Sequence, residues 1–184
     1  MKSTLAISAI IFTVGILTLP VVFSDNSFEW RQGEGHESDV ANASHPLYTE
    51  ECGSCHMAYP PGLLSSVSWT AVMNGLDDHF GDNAELDAQT HKAISEFLTA
   101  SSADNSHYSR SRKFMRGIDA NSPPLRISET PYFKRKHDEV PAKVFIGNSK
   151  LSSFSQCNSC HQGAQKGIFD DDDVRIPGYG RWDD

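Results

Sequence analysis

The 184-residue sequence predicts a mainly α protein, built as two small helical modules with extensive loops. Three observations lead there. A six-residue cysteine stretch occurs twice. Apolar residues recur at helical spacing in three short segments, 66–80, 87–100 and 130–140. Proline pairs, glycines and serine-rich runs interrupt the chain between those segments.

The repeated stretch is Glu51-Cys52-Gly53-Ser54-Cys55-His56, which recurs as Gln156-Cys157-Asn158-Ser159-Cys160-His161. Each copy is Cys-x-x-Cys-His, the attachment signature of a c-type haem. The spacing has a chemical cause. Residues three apart lie on one face of a helical turn, so two thiols there can form thioethers to the two vinyl groups of one porphyrin. The next residue then aims its imidazole at the iron as proximal ligand. A zinc site and a redox Cys-x-x-Cys pair are the alternatives for one copy. Two copies, both with the trailing histidine and with no other cysteine among the four, favour haem. Cys52, Cys55, Cys157 and Cys160 are thus covalent anchors of two haem c groups, and His56 and His161 are the proximal iron ligands. The predicted modules pack around those two covalently bound haems.

Ahead of the first motif, Lys2 precedes an almost uncharged apolar run at 5–23, and Ser24-Asp25 opens a polar sequence. Residues 1–24 therefore read as a secretory signal peptide. An uncleaved membrane anchor is the alternative, because the apolar run is long for a signal core; Pro20 near its end favours cleavage. In either case the haem sites face an exported compartment, most naturally a bacterial periplasm. Taking Lys2 and no acid from 16 Lys+Arg and 24 Asp+Glu leaves 15 against 24, net −9. No sustained basic tract is present, which argues against nucleic acid as a partner. An acidic surface suits steering toward a basic patch on another redox protein, and it also simply keeps a protein soluble.

Residues 25–44 are polar and aperiodic, a flexible leader; His36 and His45 are loop histidines or, less economically, haem ligands. The first module spans 45–105. Pro46 suits a helix start, and Leu47 and Tyr48 would lie against the haem edge. After His56, Pro60-Pro61 stops the helix, and a carbonyl in this stretch is expected to accept the His56 Nδ1–H. Over 66–80, Ser68 is a fair N-cap, and Trp69, Val72, Met73, Leu76 and Phe80 form an apolar face with His79 near its edge. Met73 and His79 compete as distal ligand. Asp87 caps a further helix running to about residue 100, in which His91 lies beside Ile94 and Leu98 and is another candidate.

The second module spans 106–184. Arg110, Arg112, Lys113, Arg116 and Lys134-Arg135-Lys136 make a basic patch, for docking or for neutralising haem propionates. Thr130-Pro131 opens a helix expected to end before Pro141, with Phe133, His137 and Val140 sharing one face. His137 is thus an imidazole among apolar residues that could cover a porphyrin. Asp170-Asp171-Asp172-Asp173 reads as a solvated turn rather than a calcium loop, and the tail from Ile176 to Trp182 as irregular.

The sequence resembles the bacterial dihaem cytochrome c family over about 48–177. The resemblance rests on Cys52–His56 continuing into Ala58-Tyr59-Pro60-Pro61-Gly62-Leu63-Leu64, on Asp78-His79-Phe80-Gly81, on Thr130-Pro131-Tyr132-Phe133-Lys134-Arg135-Lys136-His137, and on Cys157–His161 leading to Val174-Arg175-Ile176-Pro177. It implies a small periplasmic electron carrier with two bis-histidine haems. By position, His79 and His137 match the family's distal ligands, which ranks them above Met73 and His91. It also implies a membrane b-type cytochrome and a small oxygen-binding haem protein as partners. Electron transfer without substrate chemistry is the expected function. A dihaem peroxidase or small reductase would need one open haem with polar groups above it, and a gas or redox sensor would need an output domain; neither is evident. Which distal histidine faces which haem is left open.

Overall fold

In the computed structural model, residues 37–182 are described. The expectations for residues 1–36, including the signal or anchor and the alternative role of His36, lie outside the described residues. Six short α-helices carry the structure: α1 Pro46–Glu51, α2 Ser66–Asn74, α3 Ala88–Ala100, α4 Ser109–Phe114, α5 Pro131–Lys136 and α6 Cys157–Cys160. Loops and single 3-10 turns join them. Among the described residues no helix is long and apolar enough to cross a membrane.

Helix starts follow local capping chemistry. Pro46 occupies the first turn of α1, and His45 Nδ1 accepts the Tyr48 N–H at 3.4 Å. His45 therefore caps a helix and packs tilted against Phe97, with ring centres 5.0 Å apart. The Asp87 carboxylate accepts the N–H groups of Gln89 and Thr90 at the head of α3. Thr130 caps α5, with Pro131 following. The start of α2 corrects the expectation for Ser68. Ser65 is the cap, its Oγ accepting the Ser68 N–H at 3.2 Å, and Ser68 is buried inside the helix.

Helix ends differ more. The segment 66–80 is not one helix. α2 stops at Asn74 before Gly75, a 3-10 turn covers Leu76–Asp78, and His79 follows outside any helix. Likewise α5 stops at Lys136, leaving His137 as its C-terminal cap rather than an interior residue. The tail is not wholly irregular. Arg175–Ile176 (β1) and Gly180–Arg181 (β2) pair antiparallel, with Arg175 opposite Arg181 and Ile176 opposite Gly180.

α2 and α3 pack together over a first core of Tyr48, Leu64, Trp69, Met73, Ile94 and Leu98. Met73 is buried there, and His91 Nε2 donates to its carbonyl at 2.9 Å, so His91 ties α3 to α2. A second core joins Met57 and Leu63 to Phe114, Phe133, Ala164 and Phe169. Val40 belongs to this second core and is fully buried. Its segment, expected in a flexible leader, is pinned instead: Asp39 N–H donates to the Gly167 carbonyl at 2.8 Å and Ser38 Oγ to Lys166 O at 2.9 Å. A third, smaller core of Val144, Leu151 and Ile176 supports the second cysteine motif.

Candidate haem sites

Both cysteine motifs sit on a single helical turn. Cys52–Ser54 forms a 3-10 turn directly after α1, and Cys157–Cys160 is α6 itself. None of the four cysteines is paired with another in a disulfide. Burial raises the Cys52 pKa to about 11, with Glu51 adding to it. Burial likewise takes Cys157 to about 11 and raises Cys160. Cys52, Cys157 and Cys160 each pack against an apolar cluster, while Cys55 is exposed.

The histidines come together in two pairs. His56 and His79 lie with ring centres 6.2 Å apart and planes 22° from parallel. His137 and His161 are also 6.2 Å apart, but their planes cross at 72°. The distance is a test of fit. A histidine nitrogen stands about 2 Å from a metal it binds. With the ring centre roughly 1 Å further back, two imidazoles clasping one iron have centres about 6 Å apart. Both pairs meet that requirement, each beside its own cysteine motif. His79 lies opposite His56 and His137 opposite His161, so neighbours in sequence are also neighbours in space.

Each ring is held by its surroundings. His56 Nδ1–H donates to the Met57 carbonyl at 2.8 Å, and Tyr59 stacks on the ring at 4.9 Å. The orienting carbonyl expected after the first motif is therefore that of Met57. His137 Nδ1–H donates to the Phe133 carbonyl at 2.9 Å, its ring flat on Phe133 at 3.8 Å. Hydrogen bonds of this kind set the tautomer and orientation of a metal-ligating histidine. His79 sits on a tight turn closed by its own N–H on the Asp82 carbonyl at 2.7 Å, with the Asp78 carboxylate accepting Gly81 N–H at 3.0 Å. Burial lowers the His79 pKa, with His56 and Arg126 reinforcing the effect. His161 is shifted further. Burial and then His137 bring it down to about 4. Its Nδ1 is buried without a hydrogen-bond partner. A neutral imidazole keeps a lone pair for a metal.

A cleft beside His137, His161, Cys157 and Cys160 is walled by Phe114, Phe133, Phe145, Phe154, Phe169 and Trp182. Its chemistry fits a porphyrin, an apolar disc with charged edges. Arg110 and Lys136 supply cations at the cleft. Arg110 is held from behind by Asp39 at 3.5 Å while its buried Nε has no partner. Lys136 pairs with Asp171 at 3.1 Å. Of the basic residues singled out in the sequence, these two fit the propionate role. Phe154, three residues before Cys157, and Tyr59, three residues past His56, flank the two sites at spacings that were available signals. Asp39 and Arg126, whose guanidinium lies 3.8 Å over Phe80, carry no local signal at all.

The dihaem cytochrome c family model matches residues 48–169. Among solved structures the chain is similar to a diheme cytochrome type c from Shewanella baltica OS155: 46% identity, 75% of this chain and 97% of that chain covered, TM-score 0.62. It is also similar to a diheme cytochrome c from Rhodobacter sphaeroides, at 44% identity over 71% of this chain and 100% of that one, TM-score 0.63. A second structure from Rhodobacter sphaeroides matches at 43% identity, covering 70% and 99%, TM-score 0.57. No curated protein matches the chain.

Proposed function

The chain belongs to the dihaem cytochrome c family, and from that premise we propose that it is a periplasmic electron carrier whose two haem irons are closed on both faces by histidine. Two haem c groups are held covalently, by Cys52 with Cys55 and by Cys157 with Cys160. His56 with His79 would hold one iron, and His161 with His137 the other. The observation that carries this reading is the shared 6.2 Å separation of the two histidine pairs.

Bound haem supplies a reversible one-electron change at iron; the polypeptide's task is to hold it and leave no room for anything else. Two strong imidazole donors per iron leave no coordination position for a substrate, and the absence of a thioether ligand favours low potentials. Carbonyl acceptors on His56 and His137 fix those rings and make them more basic. The phenylalanine walls line the second site with apolar surface. Little geometry has to change when an electron arrives.

The partners are other redox proteins. The family resemblance points to a membrane b-type cytochrome and a small oxygen-binding haem protein, and the net −9 of the chain after residue 24 favours docking on basic surfaces. Carbon monoxide tests the closed irons. The fully reduced holoprotein is expected to keep its low-spin spectrum under the gas. A carbon-monoxide shift in the native protein, or peroxide turnover with a small-molecule donor, would replace the carrier with an enzyme.

A further inference from the structure

Asp39 reaches the second haem site from outside both predicted modules. Its Oδ2 accepts the Phe169 N–H at 2.8 Å, and its Oδ1 lies 3.5 Å from Arg110 Nη2. Its own N–H donates to the Gly167 carbonyl at 2.8 Å. Phe169 in turn packs against the His161 ring, with centres 5.4 Å apart and planes crossing at 63°. One carboxylate thus ties a wall residue of the cleft to one of its cations.

That carboxylate has little freedom to move. Val40, the next residue, is fully buried, and two glycines close on the chain there. A Cβ on Gly62 would lie 3.0 Å from Ala41 N, and one on Gly167 2.6 Å from the Val40 oxygen. The Arg110 and Asp39 side chains are only 18% and 29% exposed, so solvent and salt screen the pair in part. Burial and then His137 lower the His161 pKa to about 4; Asp171 opposes them and Arg110 adds to them. The Arg110 charge is therefore felt at a ring placed to bind the second iron.

Reduction takes one positive charge from an iron. A nearby cation favours the reduced form, and a carboxylate that offsets the cation opposes it. We propose that Asp39 is a positioning residue of the second haem site, whose carboxylate fixes Arg110 and offsets its charge, holding the second iron at a lower potential than Arg110 alone would set. The leader before the first module thereby takes part in deciding which haem keeps the electron. No bond forms or breaks, and Asp39 does not touch the iron.

The inference rests on the reading of the second iron as closed by His161 and His137, and the test separates the two. Holoprotein is poised with one electron per molecule on average, and the ferric iron left at each site is counted by low-temperature electron paramagnetic resonance. The ring planes, 22° apart at the first site and 72° at the second, tell the two signals apart. Asp39→Asn keeps an oxygen for the Phe169 N–H and removes the charge; Asp39→Glu keeps the charge. In Asp39→Asn the ratio of ferric first haem to ferric second haem is expected to rise severalfold, with both signals at their wild-type positions. Asp39→Glu is expected to stay near the wild-type ratio. An unmoved ratio in Asp39→Asn, or the same rise in Asp39→Glu, would overturn the proposal. If Asp39→Asn does not hold the second haem, Asp39→Glu decides. A retained haem at the wild-type ratio supports the carboxylate, and loss in both variants overturns its charge role. A high-spin iron in the unmutated protein would defeat the underlying reading instead.

Discussion

His79 stands where a helix has already ended, and its direction comes from a few local bonds. The turn between its N–H and the Asp82 carbonyl, the left-handed Phe80 at φ 59°, and the Asp78 carboxylate on Gly81 together fix the ring. A non-glycine residue in that region costs energy and persists only where its surroundings impose it. Arg126 lies over the Phe80 ring and does so here. Apolar surroundings alone left Met73 and His91 as rivals, and the family resemblance ranked His79 and His137 above them. The exact perches of the histidines were not legible in the sequence, since Gly75 and the end of α5 depend on where each ring has to reach. Gly167 is the clearest single-residue test of the second site. It has φ +74°, and a Cβ there would lie 2.6 Å from the Val40 carbonyl oxygen. Gly167→Ala is expected to cost about 2 kcal/mol or more, from left-handed strain plus a backbone clash. Denaturant unfolding of the holoprotein reads it as a lowered midpoint.

At the scale of elements, three helix starts were readable, while the start of α2 and the connections between helices were not. Pro46, Asp87 and Thr130 announce their helices because a cap is made within three residues. The contact of 38–40 with 166–169 joins distant parts of a polar, aperiodic sequence, and nothing local marks it. Asp104 is a similar case. Its carboxylate accepts from Ser66 N–H at 2.8 Å, at the head of α2, and from Ser102 Oγ at 2.7 Å, just past the end of α3. Burial pushes the Asp104 pKa up, but the hydrogen bonds from Ser66 and Ser102 outweigh it and leave the group below the ordinary carboxylate value of 3.8. A depressed folded-state pKa contributes stability that is present above the unfolded pKa and lost as pH falls through the folded one. Asp104→Ala is therefore expected to cost about 1 kcal/mol at neutral pH, the low end for a charged acceptor because the site is partly solvated. The gap to wild type should narrow below pH 3.8. Acid titrations of helicity in the two proteins measure it; a gap that stays constant down to low pH would exclude the carboxylate as its source.

At the scale of the whole molecule, the helical cores are thin and most of the described residues lie outside helices, so covalent haem supplies apolar interior that the residues lack. The two sites are built on different ring geometries. The His56 and His79 planes are 22° apart, while those of His137 and His161 cross at 72°. Mutual orientation of two axial imidazoles sets the splitting of the iron d orbitals, so a near-parallel pair and a near-perpendicular pair yield different low-spin signals. Low-temperature electron paramagnetic resonance of the oxidised holoprotein reads both sites at once. Two low-spin ferric signals of equal weight are expected, one rhombic from the parallel pair and one strongly axial from the crossed pair. A high-spin ferric signal of comparable weight would show an open iron and contradict the closed, bis-histidine carrier.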